Sequence, residues 1–352
     1  MKQYDVIIVG GGPAGLAVAL AAHHKGLRVA VVEASHPPLD KACGEGLMVD
    51  SLAALHTLGI RLSTEDGVPF KGIRFLQQNH AVEAEFPQGL ALGVRRTTLH
   101  SRLVERIQSA GIEVYWDCPL GSLEKNAVIC RNVRLQTQWI VGADGLNSHV
   151  RRLTGLNEFI WNRERLGLRQ HFTVRPWSDY VDVYWGEQCQ CYVTPVGPEE
   201  VSVAFLTCNK QAHFGDLLAS FPEVAARVRN TAPASRVRGA ITAMRKLKQV
   251  YKDNTVLVGD AAGTVDAITG QGIGLGIRQA EALAQALAAG DLRQYARQHA
   301  AVMRRPTLMA AGLLLMGEHR SIRHAAIKVL SRNPKSFRRL LALHVGLSAE
   351  LG

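Results

Sequence analysis

The sequence predicts an α/β chain: a doubly wound unit on parallel strands, interrupted by a separate antiparallel sheet and followed by a helical tail. Three observations carry that reading. A β-branched apolar run, Asp5 to Val9, leads straight into Gly10-Gly11-Gly12-Pro13-Ala14-Gly15 and an Ala/Leu-rich helical stretch. Residues 70–90 and 166–207 alternate apolar and polar with period two. From Asp291 onward, apolar residues recur at helical spacing with no strand pattern.

Composition sets the bounds. A chain of 352 residues predicts about two domains with a sizeable core. With 47% hydrophobic and 20% charged residues, it is neither disordered, collagen-like nor a disulfide scaffold. The apolar run Leu308 to Met316 falls short of the roughly 20 residues a spanning helix needs. Lys2-Gln3-Tyr4-Asp5 leads into the first strand with no secretory pattern, and the six cysteines form no CxxC pair. Reduced thiols, a cytoplasmic location and no metal site are the expectation.

The first element is a strand buried on both faces, because it is continuously apolar. In the turn that follows, Gly10 permits the tight bend, Gly12 lets backbone approach a pyrophosphate, and Gly15 allows close helix–strand packing. The helix N-terminus offers unpaired N–H groups to phosphate. A second strand, Arg28 to Val32, ends at Glu33, whose carboxylate can accept from a ribose. This strand–turn–helix–strand–acid order reads as Rossmann-like dinucleotide binding.

Two later segments repeat the strand-to-turn form. Gln138 to Gly142 runs into Ala143-Asp144-Gly145-Leu146-Asn147-Ser148-His149-Val150-Arg151. Val256 to Val258 runs into Gly259-Asp260-Ala261-Ala262-Gly263, followed by Gly270-Gln271-Gly272-Ile273-Gly274 opening an Ala-rich helix to Ala289. Asp144 reads either as a ligand contact or as the cap of a helix beginning near Asn147.

In this order and spacing the three motifs, across roughly residues 1–300, resemble the FAD-dependent oxidoreductases, the superfamily of group A aromatic hydroxylases, geranylgeranyl reductases and flavin-dependent halogenases. The resemblance implies a Rossmann-like FAD-binding domain with an inserted antiparallel β-sheet substrate domain, tightly bound FAD, and NAD(P)H as a transient electron donor. Carried onto this chain, Ala14 and Glu33 match contacts to the AMP half. Arg96, in Val94-Arg95-Arg96-Thr97-Thr98-Leu99, and Leu120 match further contacts. Asp144 and Gly145 match a motif shared by FAD and NAD(P)H. Asp260 matches a ribityl contact, and Gly270, Gly272 and Ile273 the helix start facing the flavin.

Lys41-Ala42-Cys43-Gly44-Glu45-Gly46 resembles the geranylgeranyl-reductase branch, implying that Cys43, Gly44 and Gly46 lie beside the flavin and Cys43 faces substrate. Gly270-Gln271-Gly272 is the hydroxylase spelling instead. Halogenation is disfavoured, since no W-x-W-x-I-P signature surrounds Trp116, Trp139, Trp161, Trp177 or Trp185.

On the substrate side, a hairpin is expected around Gln78-Asn79-His80, and Val181 to Trp185 is expected to pair with Gln190 to Thr194. Cys189, Cys191 and Val193 share one face; Tyr192 and Thr194 share the other. Tyr192 is the candidate polar group near substrate, with His171 and His213 as the other ionisable candidates. The tail carries eleven basic residues against Asp291, Glu318 and Glu350, with Pro306 and Pro334 expected to divide it into three helices. It reads either as helices lying on an anionic membrane or as a cap over the substrate channel. No nucleic-acid motif accompanies the charge.

The resulting division is 1–68, 94–156 and 249–290 for the FAD-binding domain, 69–93 and 157–248 for the substrate domain, and 291–352 for the basic helical region. The resemblance implies an NAD(P)H-dependent monooxygenase hydroxylating a lipophilic aromatic or polyketide-derived molecule through a flavin C4a-hydroperoxide. The alternative is a reductase saturating C=C bonds of an isoprenoid or other unsaturated lipid.

Overall fold

The computed structural model describes residues 2–78, 80–131 and 133–346. Asn79 of the expected hairpin tip and Glu350 of the tail lie outside them.

The first strand, Gln3–Val9, sits at the centre of a sheet because Val6, Ile7 and Ile8 are wholly buried. Val29–Val32 flanks it in parallel on one side and Val133–Gly142 on the other, with Thr255–Leu257 parallel beyond the latter. Val9, Val32, Gly142 and Leu257 therefore end in register, so the three glycine-bearing turns open from one sheet edge. Ligands of open α/β sheets bind outside such carboxyl ends. Helices Pro13–His24 and Gly272–Ala289 pack against each other beside this sheet.

The second sheet runs in the order Gly263–Thr264, Arg238–Leu247, Phe159–Phe172, Glu200–Thr207, Cys189–Gly197, Tyr180–Trp185, Gly72–Gln77 and His80–Glu85. The expected pairing of residues 181–185 with 190–194 is present, with Asp182 opposite Val193. The sheet is not purely antiparallel: Tyr180–Trp185 lies parallel to Gly72–Gln77. The 72–85 hairpin leaves and the chain returns only after traversing the first sheet, so no tight turn dictates the pairing. A small third sheet joins Gly46–Leu47, Ala91–Gly93 and Val68–Phe70.

One face of the second sheet, carrying Cys189, Cys191 and Val193, packs on Phe214, Phe221 and Val224 of two short helices. The opposite face, with Tyr192 and Thr194, turns toward the first sheet and the tail. The tail forms helices Leu292–Glu318, Arg320–Arg332 and Pro334–His344. Their inner residues Leu314, Ile327, Leu330, Phe337 and Leu341 share a core with Phe75, Val82 and Trp185, and the Phe75 and Phe337 rings lie 5.0 Å apart.

Pro306 does not divide the tail, contrary to expectation. It lies buried inside the first tail helix, and the break falls at His319, whose backbone is extended. A proline removes one amide and strains one turn. The helix packs against both Gly272–Ala289 and the Ala267–Thr269 turn, and those contacts outweigh the loss.

Candidate functional site

The three glycine motifs meet at one point. A Cβ at Gly259 would stand 2.8 Å from the Ala14 methyl, and one at Gly276 would stand 2.9 Å from it. Ala14, Gly259 and Gly276 are therefore small for packing reasons, and Ala14 ties the first motif to the other two. Gly10 has φ +113, and its Cβ would meet the Ala143 carbonyl at 2.4 Å; one at Gly15 would meet the Gly10 carbonyl at 1.9 Å. Gly12, Gly44 and Gly272 behave differently: a Cβ on any of them meets nothing within 4 Å. These three line an open cleft, where a methyl would take up ligand space.

Electrostatics favour an anion there. Gly12 caps helix Pro13–His24 with no side-chain bond to its first amides, which stay available to phosphate. The Glu33 carboxylate accepts from the Gly11 amide at 2.7 Å and the Ser35 amide at 2.9 Å, holding the acid at the cleft rim. His100, which the sequence did not single out, is wholly buried; its Nε2–H donates to the Gly11 carbonyl at 2.8 Å. Burial lowers its pKa, so it braces the phosphate loop without adding charge.

Asp260 presents an accessible side chain deep in the same cleft. The depth raises its carboxyl, while Arg96, Lys41 and Arg245 pull it back. The Arg96 Nε is buried with no partner. An unpartnered guanidinium N–H, an accessible carboxylate and a glycine cradle are what a pyrophosphate, a ribityl chain and a flavin ring require. The residues fit FAD.

Asp144 takes the capping role: its Oδ2 accepts from the His149 and Val150 amides at 2.6 and 3.0 Å, while Oδ1 is buried and unpartnered. Gly145 has φ +77 and sits near Lys41 Nζ. Arg151 donates to the Ala261 carbonyl at 3.0 Å and the Leu146 carbonyl at 2.7 Å, clamping the second motif to the third. Leu120 opens the strand Leu120–Glu124 and is half-buried against the first core. Gly270 has φ +66 and ends the Ala267–Thr269 turn; Ile273 packs partly on the first core.

Cys43 is half-buried in the loop before Gly44, its Sγ accepting from the Glu45 amide at 3.4 Å. Burial raises its thiol pKa, with Arg96 opposing and Glu45 assisting. The loop is fastened to the second sheet: Thr194 Oγ1 donates to the Gly44 carbonyl at 2.8 Å, and the Glu45 carboxylate meets His171 Nε2 at 2.5 Å. His171 is thus a buried partner of Glu45, whereas His213 is exposed at the cap of a short helix. Gly46 begins the third sheet, opposite Gly93.

Tyr192 is half-buried, and its hydroxyl donates to the Ile268 carbonyl at 3.3 Å, supporting the turn before Gly270. Beside it a buried ion pair, Arg165 to Asp266 at 3.1 Å, ties the sheet to the same turn, with Arg165 also bonded to Gln190. Asp266 in turn accepts from the Ile268 amide at 2.9 Å. The tail closes the far side: Gln271 Nε2 donates to the His344 carbonyl at 2.6 Å, and His344 Nε2–H to the Thr269 carbonyl at 2.9 Å.

Comparison with known proteins agrees with this construction. The chain is 24% identical to a menaquinone reductase of Mycobacterium tuberculosis, over 82% of this chain and 77% of that protein. It is 24% identical to a digeranylgeranylglycerophospholipid reductase of Methanococcus vannielii, over 78% and 74% respectively. A solved flavoprotein/dehydrogenase from Cytophaga hutchinsonii superposes with a TM-score of 0.85 at 17% identity, covering 98% of this chain and 93% of that one. The profile of the FAD binding domain family matches residues 3–298; the chain belongs to that family and is an FAD-dependent oxidoreductase.

Proposed function

We propose that the chain saturates a C=C bond of a long lipophilic substrate, with NAD(P)H as transient electron donor. The observation that carries this reading is Cys43: a half-buried thiol, kept protonated by burial, at the junction of the FAD cleft and the substrate sheet. When bound, FAD would supply the two-electron chemistry, with NAD(P)H as the source of the hydride. Saturation adds that hydride to one alkene carbon and a proton to its neighbour. The Cys43 S–H provides the proton, and the thiolate left behind regains one from water. Arg96 and Asp260, close enough to sense each other's charge, would both contact the cofactor in the cleft, and the apolar cluster around Phe75 and Trp185, packed against the tail, suits a hydrocarbon chain. The names of two relatives, reductases of a menaquinone and of a digeranylgeranyl lipid, support the same direction.

A second reading, hydroxylation, is favoured by one feature. Gly270-Gln271-Gly272 has the hydroxylase spelling, and the clasp to His344 buries Gln271 behind it, on the side away from the exposed Gly270 and Gly272; oxygen insertion needs a dry site. One experiment separates the two. The holoprotein is incubated with NADPH and polyprenyl acceptors under argon and then in air, and products are weighed. Gain of two hydrogens under argon, lost on the order of a hundredfold in Cys43→Ser with FAD still bound, supports the reductase. Product only in air, carrying one added oxygen, overturns it in favour of hydroxylation.

We further propose that the outer face of the tail rests on an anionic bilayer, from which such a substrate would enter. No helix among the described residues is long and apolar enough to cross a membrane. Leu308 and Leu315 share an exposed face of one helix, Ile322 and Val329 of the next, and Leu340 and Leu343 of the last. Exposed arginines and lysines surround them, and between residues 292 and 346 the only acid is Glu318. Apolar groups ringed by cations match a surface of anionic headgroups. Co-flotation with vesicles containing phosphatidylglycerol, lost in Leu308→Ser/Leu315→Ser and absent with pure phosphatidylcholine, is expected; equal binding by parent and variant would refute it.

A further inference from the structure

Glu45 is the strained residue of the cleft. It stands between Gly44 and Gly46 with φ +59, in the left-handed region, yet it is not glycine and its carboxylate is almost wholly buried. A residue with a Cβ there is strained relative to glycine, and a buried carboxylate is costly unless it is paired. Outliers of this kind persist only where the surroundings over-determine them.

Those surroundings are specific. Glu45 Oε1 accepts from the Arg96 amide at 2.9 Å and lies 3.9 Å from Arg169; Oε2 meets His171 Nε2 at 2.5 Å. The Glu45 carbonyl accepts from the Val94 amide at 2.9 Å. His171 is set by its second nitrogen, which accepts from Arg169 at 3.1 Å and stands 2.9 Å from Ser235 Oγ. Arg169, also buried, reaches back to Asp40, ahead of the same loop. One side chain thus joins three pieces remote in sequence: the Cys43 loop, the start of the helix bearing Arg96, and the strand Phe159–Phe172 of the substrate sheet.

We propose that Glu45 is a positioning residue, a latch through which His171 and Arg169 of the substrate sheet hold Cys43 and Arg96 in register beside each other at the FAD cleft. The inference rests on Cys43 and Arg96 lining that cleft, and not on which reaction occurs there, so failure of the reductase assay leaves it standing.

The left-handed backbone makes the test clean, because Glu45→Gly relieves the turn while removing the carboxylate. If Glu45 served only the turn, the glycine variant would equal or exceed the parent. The experiment uses a Cys208→Ser background, since Cys208 is the exposed thiol and the four other cysteines besides Cys43 are buried. Alkylation of Cys43 by iodoacetamide is followed by mass spectrometry, with and without FAD, beside the Kd for FAD. The latch predicts alkylation about tenfold faster and FAD held about tenfold more weakly in Glu45→Gly, with Glu45→Gln, which retains length and acceptors, returning most of both. Alkylation and Kd within twofold of the parent in the glycine variant would overturn it. Should that variant fail to fold, His171→Gln releases the latch from the other side, and an unchanged Cys43 rate there overturns the proposal equally.

Discussion

Lowering the pH should loosen the tail from the late glycine turn, and the structure sets how much. His344 is buried; burial, with Arg278 nearby, pushes its pKa down to about 4 from 6.5, the Thr269 carbonyl opposing only in part. Its folded pKa lies below its unfolded one, so its contribution to stability is full above about 6.5 and is lost as pH falls toward 4. Over that window the unfolded chain takes up a proton that the folded chain refuses. Linkage makes the loss about 2 kcal/mol between pH 7 and pH 5, and on the order of 3 kcal/mol by pH 4. Asp50 and Asp260, both raised by burial, act in the opposite sense, so the total pH profile cannot be assigned to one group. His344→Gln isolates it: the amide can still donate toward Thr269 but takes no proton. Urea unfolding of parent and variant at pH 7 and pH 5 should show the parent losing about 2 kcal/mol more than the variant. A difference below about 0.5 kcal/mol would refute the assignment of His344 as a buried base.

Four further outcomes follow from the geometry. Gly15→Ala places a methyl 1.9 Å from the Gly10 carbonyl and should cost about 1–3 kcal/mol by urea unfolding of the apoprotein. Gly12→Ala meets no protein atom, so apoprotein stability should stay within about 0.5 kcal/mol, while FAD titration shows binding at least about tenfold weaker. Asp266→Ala strands the buried Arg165 and should cost about 3 kcal/mol, seen as an earlier urea midpoint; a change under about 1 kcal/mol would mean water already serves that pair. Truncation after Gly290 should yield insoluble protein rather than a soluble enzyme lacking its tail, because Phe75, Trp185 and Val82 lose their cover; recovery in the supernatant with FAD bound would contradict this.

Local signals in the chain carried most of the fold. The run Val6–Val9 had to be a strand buried on both faces, and the glycines after it had to turn, because each constraint acts within a few residues. The cleft side of the 189–197 strand was not legible. Periodicity separates Cys191 from Tyr192 but cannot say which meets Phe221 and which meets Ile268. His100 and Glu45 were illegible for a related reason. Their partners Gly11 and His171 stand 89 and 126 residues away, and nothing local in the sequence pairs them. A glutamate flanked by glycines was the one available hint, since a turn spelled Gly-Glu-Gly invites the question of why the middle residue is not small. Pro306 misled because a proline's local cost is visible in sequence, whereas the packing that offsets it is not.

The arrangement also suggests where one scaffold can change its chemistry. The FAD-binding half has little freedom, because Ala14, Gly259 and Gly276 are jammed together and Arg151 clamps two motifs through their carbonyls. The polar half of the substrate sheet is likewise committed, with Arg169 and His171 bound to the Cys43 loop and Arg165 to Asp266. Between these fixed walls, the groups free to vary without breaking a buried pair are the apolar ones around Phe75 and Trp185 and the tail residues that cover them. Substitutions there change the packing between the second sheet and the tail, where the substrate chain is proposed to lie, while leaving the buried polar pairs intact. Exchanging Phe337 or Leu341 should therefore alter which chain lengths are accepted before it alters FAD affinity, whereas exchanging Glu45 or Asp266 should do the reverse.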